Sequence, residues 1–130
     1  MLMKKKILIV DDHNEFRRIL RKFLESQNLN YLTFEASSER SAVWKARMEQ
    51  PDIVLLEFQL PKMNGIKTSR LIKNVSPNSK IIVVSTFDTE KFQRKFIGEH
   101  VDGFIGKSEF DRNLVRILRK HLRNRSVTKQ

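Results

Sequence analysis

Short apolar runs, each closing on a polar residue and each followed by a helical pattern, constrain this chain most. Ile7-Leu8-Ile9-Val10 runs into Asp11-Asp12, Ile53-Val54-Leu55-Leu56 ends at Glu57, and Ile81-Ile82-Val83-Val84 ends at Ser85. Continuous apolar runs of this length mark strands covered on both faces, as in parallel sheets. The first helical stretch carries Phe16, Ile19, Leu20, Phe23 and Leu24 at the spacing of one buried face. A second strand is expected over residues 31–35. A second helix is expected over 38–48, with Ala42, Val43 and Ala46 inward and Pro51 helping to stop it. Asn64 is placed to cap a third helix over 65–74.

The strand at 80–85 follows, then a fourth helix carrying Phe92, Phe96 and Ile97, and a short strand over 103–105. A fifth helix over 108–123 puts Phe110, Leu114, Ile117 and Leu118 inward and Arg112, Arg116, Arg119 and Lys120 outward. Strands alternating with helices in this way predict an α/β domain with three layers, a doubly wound (βα)5 unit with a five-stranded parallel sheet and right-handed crossovers. The domain is expected over residues 1–123, with 124–130 a polar tail or the start of a linker.

At 130 residues the chain is long enough for one domain with a real core. Apolar residues at 39% and charged residues at 32% argue against disorder. No apolar run approaches a membrane span, and the first residues lack a signal peptide's cleavage pattern, so a cytoplasmic protein without membrane contact is expected. Cysteine is absent, which removes disulfides and thiolate metal sites. The net charge of +11 could draw nucleic acid or anionic lipid, although Arg17, Arg18, Arg21, Lys22, Arg116, Arg119, Lys120, Arg123 and Arg125 read first as solvated helix faces.

Ligands of such sheets bind beyond the carboxyl ends of the strands, at the switch point in strand order. The polar residues expected there are Asp11, Asp12, Glu57, Ser85 and Lys107. Clustered carboxylates repel one another unless a cation intervenes. Hard oxygen ligands with room for water suit Mg2+, which also binds phosphate oxygens. Lys107 supplies a point charge for a phosphoryl group and Ser85 a hydroxyl. Asp12 or Asn14 is expected to cap the first helix, and His13 reads as a helix-start residue rather than a metal ligand.

The ordered segments Ile9-Val10-Asp11-Asp12-His13, Glu35-Ala36, Pro51-Asp52-Ile53-Val54-Leu55-Leu56, Leu60-Pro61-Lys62-Met63-Asn64-Gly65, Ile81-Ile82-Val83-Val84-Ser85 and Asp102-Gly103-Phe104-Ile105-Gly106-Lys107 resemble the receiver domain of bacterial two-component response regulators. The resemblance spans about residues 6–122. Asp11-Asp12-His13 followed by Phe16-Arg17, and Lys107-Ser108 where many receivers have Lys-Pro, are most similar to the NarL-type subgroup, whose receivers precede a helix-turn-helix DNA-binding domain.

The resemblance implies the flavodoxin-like strand order 2-1-3-4-5. It also implies weak Mg2+ binding by Asp11, Asp12 and the acid at position 57, with the backbone carbonyl of Gln59 as a further ligand. Lys107 would contact the phosphoryl group, Ser85 would be the switch hydroxyl, and Phe104 the aromatic that changes rotamer. A histidine kinase or phosphotransfer protein would be the upstream partner. An effector protein, or an output DNA-binding domain outside this chain, would be downstream. A homodimer through the face of the fourth helix, fifth strand and fifth helix is left open.

The departure is at position 57, where the family's acceptor is Asp and this chain has Glu57. The extra methylene displaces the nucleophilic oxygen by about 1 Å, enough to cost about 10²-fold where near-attack geometry is needed. It also carries the carboxylate toward Ser85 and Lys107. Glu57 is therefore expected to impair phosphoryl acceptance, and could act as a constitutive or engineered mimic of the phosphorylated state, although phosphate brings more charge and more acceptor oxygens. Glu39 replaces a frequent Gly, which is expected to change only a turn. His100-Val101 replaces a frequent Gly-Ala and removes the usual left-handed helix stop.

Two other classes make distinct demands on the sequence. A basic nucleic-acid-binding protein reusing the fold would show salt-sensitive DNA binding through the first and fifth helices. A flavodoxin-like redox enzyme would need a hydroxyl- and glycine-rich loop after the first strand, where this chain has Asp-Asp-His-Asn-Glu. An enzyme is not expected.

Overall fold

A computed structural model describes residues 4–27, 31–57, 59–60, 63–85, 94, 99, 101–106 and 110–127. The elements in chain order are β1 (Lys5–Val10), α1 (Asn14–Ser26), β2 (Tyr31–Ala36), α2 (Glu39–Glu49), β3 (Ile53–Glu57), β4 (Gln59–Leu60), β5 (Met63–Asn64), α3 (Gly65–Val75), β6 (Lys80–Ser85), β7 (Gly103–Gly106) and α4 (Phe110–Val127). The expected fourth helix, with Phe92, Phe96 and Ile97, lies outside the described residues. The expected fifth helix is α4, and it continues through Val127, beyond the expected limit at Arg123.

The five long strands form one parallel sheet in the order β2-β1-β3-β6-β7, which is the expected 2-1-3-4-5 once the short antiparallel pair β4-β5 is set aside. Alternation along each strand sorts the core into two layers. Ile7, Ile9, Ile53, Leu55, Ile82, Val84 and Ile105 pack with Leu20 and Leu24 of α1 and Leu114 and Leu118 of α4. Leu8, Val10, Val54, Leu56 and Ile81 pack on the other side with Ala42 and Ala46 of α2 and Ile72 of α3. Small residues at 42 and 46 let α2 lie close to the sheet.

Capping chemistry fixes where helices begin. Ser38 and Ser41 form a reciprocal capping box at α2. The Asn64 Oδ1 accepts from the N–H groups of Ile66 and Lys67 at 3.0 and 3.2 Å, as its sequence position predicts. α2 ends at Gln50, whose left-handed backbone (φ 49°) is held by side-chain donation to the carbonyls of Ala46, Arg47 and Val75.

Four expectations need correction. Neither Asp12 nor Asn14 caps α1: the N-cap position is His13, with no side-chain cap, and Asn14 instead accepts from Arg17. Ile19 is 51% exposed rather than inward, because the buried stripe of α1 is narrow and centres on Leu20 and Leu24, flanked by Phe16 and Phe23. Arg17 and Arg21 are not simply solvated, since both pair with Glu35. Glu39 does more than alter a turn: its carboxylate accepts from the Thr68 hydroxyl at 3.2 Å and faces Lys67, tying α2 to α3.

Two aspartates at the amino edge of the sheet play matching parts. Asp52 accepts from the Lys6 N–H at 2.8 Å and its own N–H donates back to the Lys6 carbonyl at 2.9 Å. Asp102 accepts from the Ile81 N–H at 2.8 Å and donates back to the Ile81 carbonyl at 2.8 Å. Each sits immediately before a strand, β3 or β7, and clasps it to the preceding neighbour in the sheet.

Candidate functional site

The carboxyl edge is built by strand register. Val10 is level with Leu56, so Asp11 and Glu57 are the next residues on adjacent strands. Glu57 is level with Val84, and Ser85 with Gly106. Asp11, Glu57 and Ser85 are all buried, at 1%, 2% and 3% exposure. The expected convergence of these residues on one edge is therefore present. Gln59 opens β4 two residues beyond Glu57, and Phe104 is half-buried in β7, level with Val83. Lys107 lies outside the described residues.

Beyond β1 the chain turns directly into α1, which brings three metal-capable groups together. One ligand atom each from Asp11, Asp12 and His13 falls within 4.8 Å of the others. The Asp11 Oδ1 accepts from the His13 N–H at 2.8 Å. The His13 Nδ1 lies 3.1 Å from Asp11 Oδ1 and 3.1 Å from Asp12 Oδ1, the second approach lacking hydrogen-bond geometry. His13 is thus a helix-start residue as expected, but its ring also belongs to the acidic group. The donor set fits Mg2+: two hard carboxylates, one buried and one 18% exposed, leave a side open to water, which that ion retains. Asp11 and Asp12 would hold it.

Arg17 braces this turn and is the residue whose role sequence reasoning missed. Its guanidinium donates to the Asp11 carbonyl at 2.7 Å, to Asn14 Oδ1 at 2.6 Å and to Glu35 Oε1 at 3.0 Å. Glu35, at the carboxyl end of β2, also accepts from Arg21 at 2.5 Å, and Lys45 donates to its carbonyl. Burial pushes the Glu35 carboxyl up, but Arg21 and Arg17 outweigh it and hold it below the usual value. The signal available in sequence was the pairing of two quoted fragments, Phe16-Arg17 and Glu35-Ala36, whose polar members meet across the β1–β2 edge.

A five-stranded parallel sheet in this order, helices on both faces and a buried acidic carboxyl edge define a flavodoxin-like, CheY-like α/β domain. The chain belongs to the response regulator receiver domain family, which it matches over residues 7–119, and is thus a receiver of two-component signalling. It is 28% identical over 122 residues to the response regulator protein VraR of Staphylococcus aureus, covering 94% of this chain and 58% of that one. The chain therefore spans less than two thirds of that curated relative's length. A two-component response regulator of the LuxR family from Aurantimonas is 26% identical, with a TM-score of 0.81 over 94% of this chain and 87% of that chain. A CheY-like receiver domain protein from Methanospirillum hungatei shares the fold at 22% identity, with a TM-score of 0.85 over 97% and 99% of the two chains. Among the described residues, no helix is long and apolar enough to cross a membrane.

Proposed function

We propose that this receiver carries Glu57 at the phosphoacceptor position and is impaired in accepting phosphate, so that it signals by protein–protein contact in an atypical, fixed state. The observation carrying this reading is the register of β1 and β3, which sets Glu57 one residue past Leu56 beside Asp11, buried at the carboxyl edge. In this reading Asp11, Asp12, position 57 and the Gln59 carbonyl serve a weakly bound Mg2+. That ion supplies charge neutralisation between the acids and an incoming phosphoryl group. Lys107 meets the phosphoryl oxygens, Ser85 is the switch hydroxyl and Phe104 the responding aromatic.

Glu57 places a carboxylate one methylene further out than the family's aspartate, which misaligns the nucleophile and partly substitutes for the negative charge a phosphoryl group would bring. A histidine kinase or phosphotransfer protein is the upstream partner, and an effector or a NarL-type DNA-binding output domain the downstream one. The relation to longer response regulators supports this. The protein works in the cytoplasm in this reading.

The test is intact-mass spectrometry after incubation with acetyl phosphate and Mg2+, beside a Glu57→Asp variant. Labelling of the variant alone is the expected result. Equal labelling of both would sink the impairment, and labelling of neither would show that the remaining pocket is not a phosphoryl site.

A second reading has one observation in its favour: Arg112, Arg116, Arg119 and Lys120 form an exposed cationic stripe on α4. Nucleic-acid binding through it would weaken steeply with salt and with removal of those charges.

A further inference from the structure

α2 is apolar on both of its sides. Ala42 and Ala46 face the sheet at 0% exposure, while Trp44 and Met48, one turn apart, are each 59% exposed. Arg40 and Arg47 flank them, both exposed, so the outward stripe reads cation, aromatic, cation, thioether. The acids that could neutralise this stripe are turned toward the body of the domain. Glu39 engages Thr68 and Lys67, and Glu49 engages Lys6 at 3.3 Å. Among the described residues, neither Arg40 nor Arg47 has a carboxylate partner. Leu32, 40% exposed, lies toward the amino end of the edge strand β2, beside which α2 returns.

A core role does not explain Trp44 and Met48, since the inward side of α2 is already filled by alanines against the sheet. Exposed apolar groups ringed by charge mark interaction surfaces. We propose that the Arg40–Trp44–Arg47–Met48 face of α2 is a docking site for an acidic protein segment that carries apolar anchors. Charge selects this occupant. Two copies of the chain would bring four arginines together, and each copy carries a net charge of +11. A nucleic acid would gain little from the thioether and would find a longer cationic stripe on α4. An acidic segment pairs with both arginines while its apolar side chains cover Trp44 and Met48, and Arg and Trp are the residue types that most often carry binding energy at such contacts. The site lies on the outward face of α2, turned away from the sheet, and does not depend on the role of Glu57.

Trp44 is the one tryptophan in the chain, so its fluorescence reports this face directly. The probe is a four-turn synthetic peptide with leucine and phenylalanine on one helical face and glutamate elsewhere. Controls are polyglutamate of the same length and a DNA duplex. The expected result is a saturable blue shift of Trp44 emission with the amphipathic peptide. Affinity should fall about tenfold or more, ~1.4 kcal/mol, in an Arg40→Glu/Arg47→Glu variant and again in Met48→Asp. Circular dichroism should show both variants folded. No shift, a shift indifferent to these substitutions, an equal shift with DNA, or a Met48-dependent dimer by light scattering would each overturn the proposal.

Discussion

Arg17 reaches back from the first turn of α1 to hold the Asp11 carbonyl at 2.7 Å, while the same guanidinium grips Glu35 at 3.0 Å. One side chain thus fixes the main chain of the acidic turn to the neighbouring strand. The turn's geometry follows from charge and hydrogen bonding rather than from packing.

Arg17→Ala is expected to destabilise the domain by about 1–3 kcal/mol, since a part-buried carbonyl and a part-buried carboxylate both lose a charged donor. Mg2+ affinity, measured by titration calorimetry, should fall about tenfold as the orientation of the first ligand loosens. Arg17→Lys should restore stability only in part, because an ammonium cannot serve both acceptors with the same planar fork. Unchanged Mg2+ affinity in Arg17→Ala would show that the turn holds itself.

Glu35 gives the fold an acid-sensitive clasp. Its folded pKa lies below the ordinary value of 4.5, because the two arginines outweigh burial. Stability from this group is therefore fully present above about pH 4.5 and is lost as pH falls from there through the folded value. Glu35→Gln should be less stable than the parent at neutral pH, and the gap should narrow in acid. Denaturant midpoints across that range provide the check, and a gap that stays constant would refute the linkage.

Tyr31 is the one tyrosine, and its hydroxyl is buried without a hydrogen-bond partner among the described residues. Burial pushes its pKa up to about 12, against a smaller opposing pull from Arg119. Phenolate absorbance of the folded protein should titrate near that value rather than near 10. Stability carried by the neutral ring is complete below pH 10 and is lost as pH rises toward 12. Tyr31→Phe should match or exceed the parent's stability by up to about 1 kcal/mol, as it removes an unsatisfied polar group. A clear loss on that substitution would reveal a partner for the hydroxyl.

Asn64 serves both the β4-β5 pair and the start of α3. Asn64→Ala should cost about 1 kcal/mol, and Asn64→Asp should cost less, because the negative charge suits a helix amino end. Thermal melts of the two variants decide this, and equal loss would mean that strand pairing rather than capping sets the requirement.

Much of the architecture was legible because period and punctuation agreed. The run from Lys80 to Ser85 could only be a covered strand, and Asn64 followed by Gly65 announced a helix start. Burial within α1 was less legible. Ile19 fits the apolar spacing, yet the layer it would enter is already occupied from α4 by Leu114 and Leu118. The acidic edge could be anticipated because three runs ended in polar residues, and parallel register aligns such endings. Arg17 and Glu35 were harder: each looks like an ordinary surface charge until β1 and β2 are paired. The inward side of α2 was legible from Ala42, Val43 and Ala46, which leaves Trp44 outward, but nothing in the spacing showed which charges would share its face.

The clasps made by Asp52 and Asp102 give the sheet a bound spine. At that margin each aspartate is answered by a backbone amide, and the strands it joins cannot slide without breaking paired bonds in both directions. The opposite margin holds Asp11 and Glu57, buried side by side on adjacent strands, where a change of charge would be felt most. Strain raised at Glu57 would thus meet a fixed pivot along the spine.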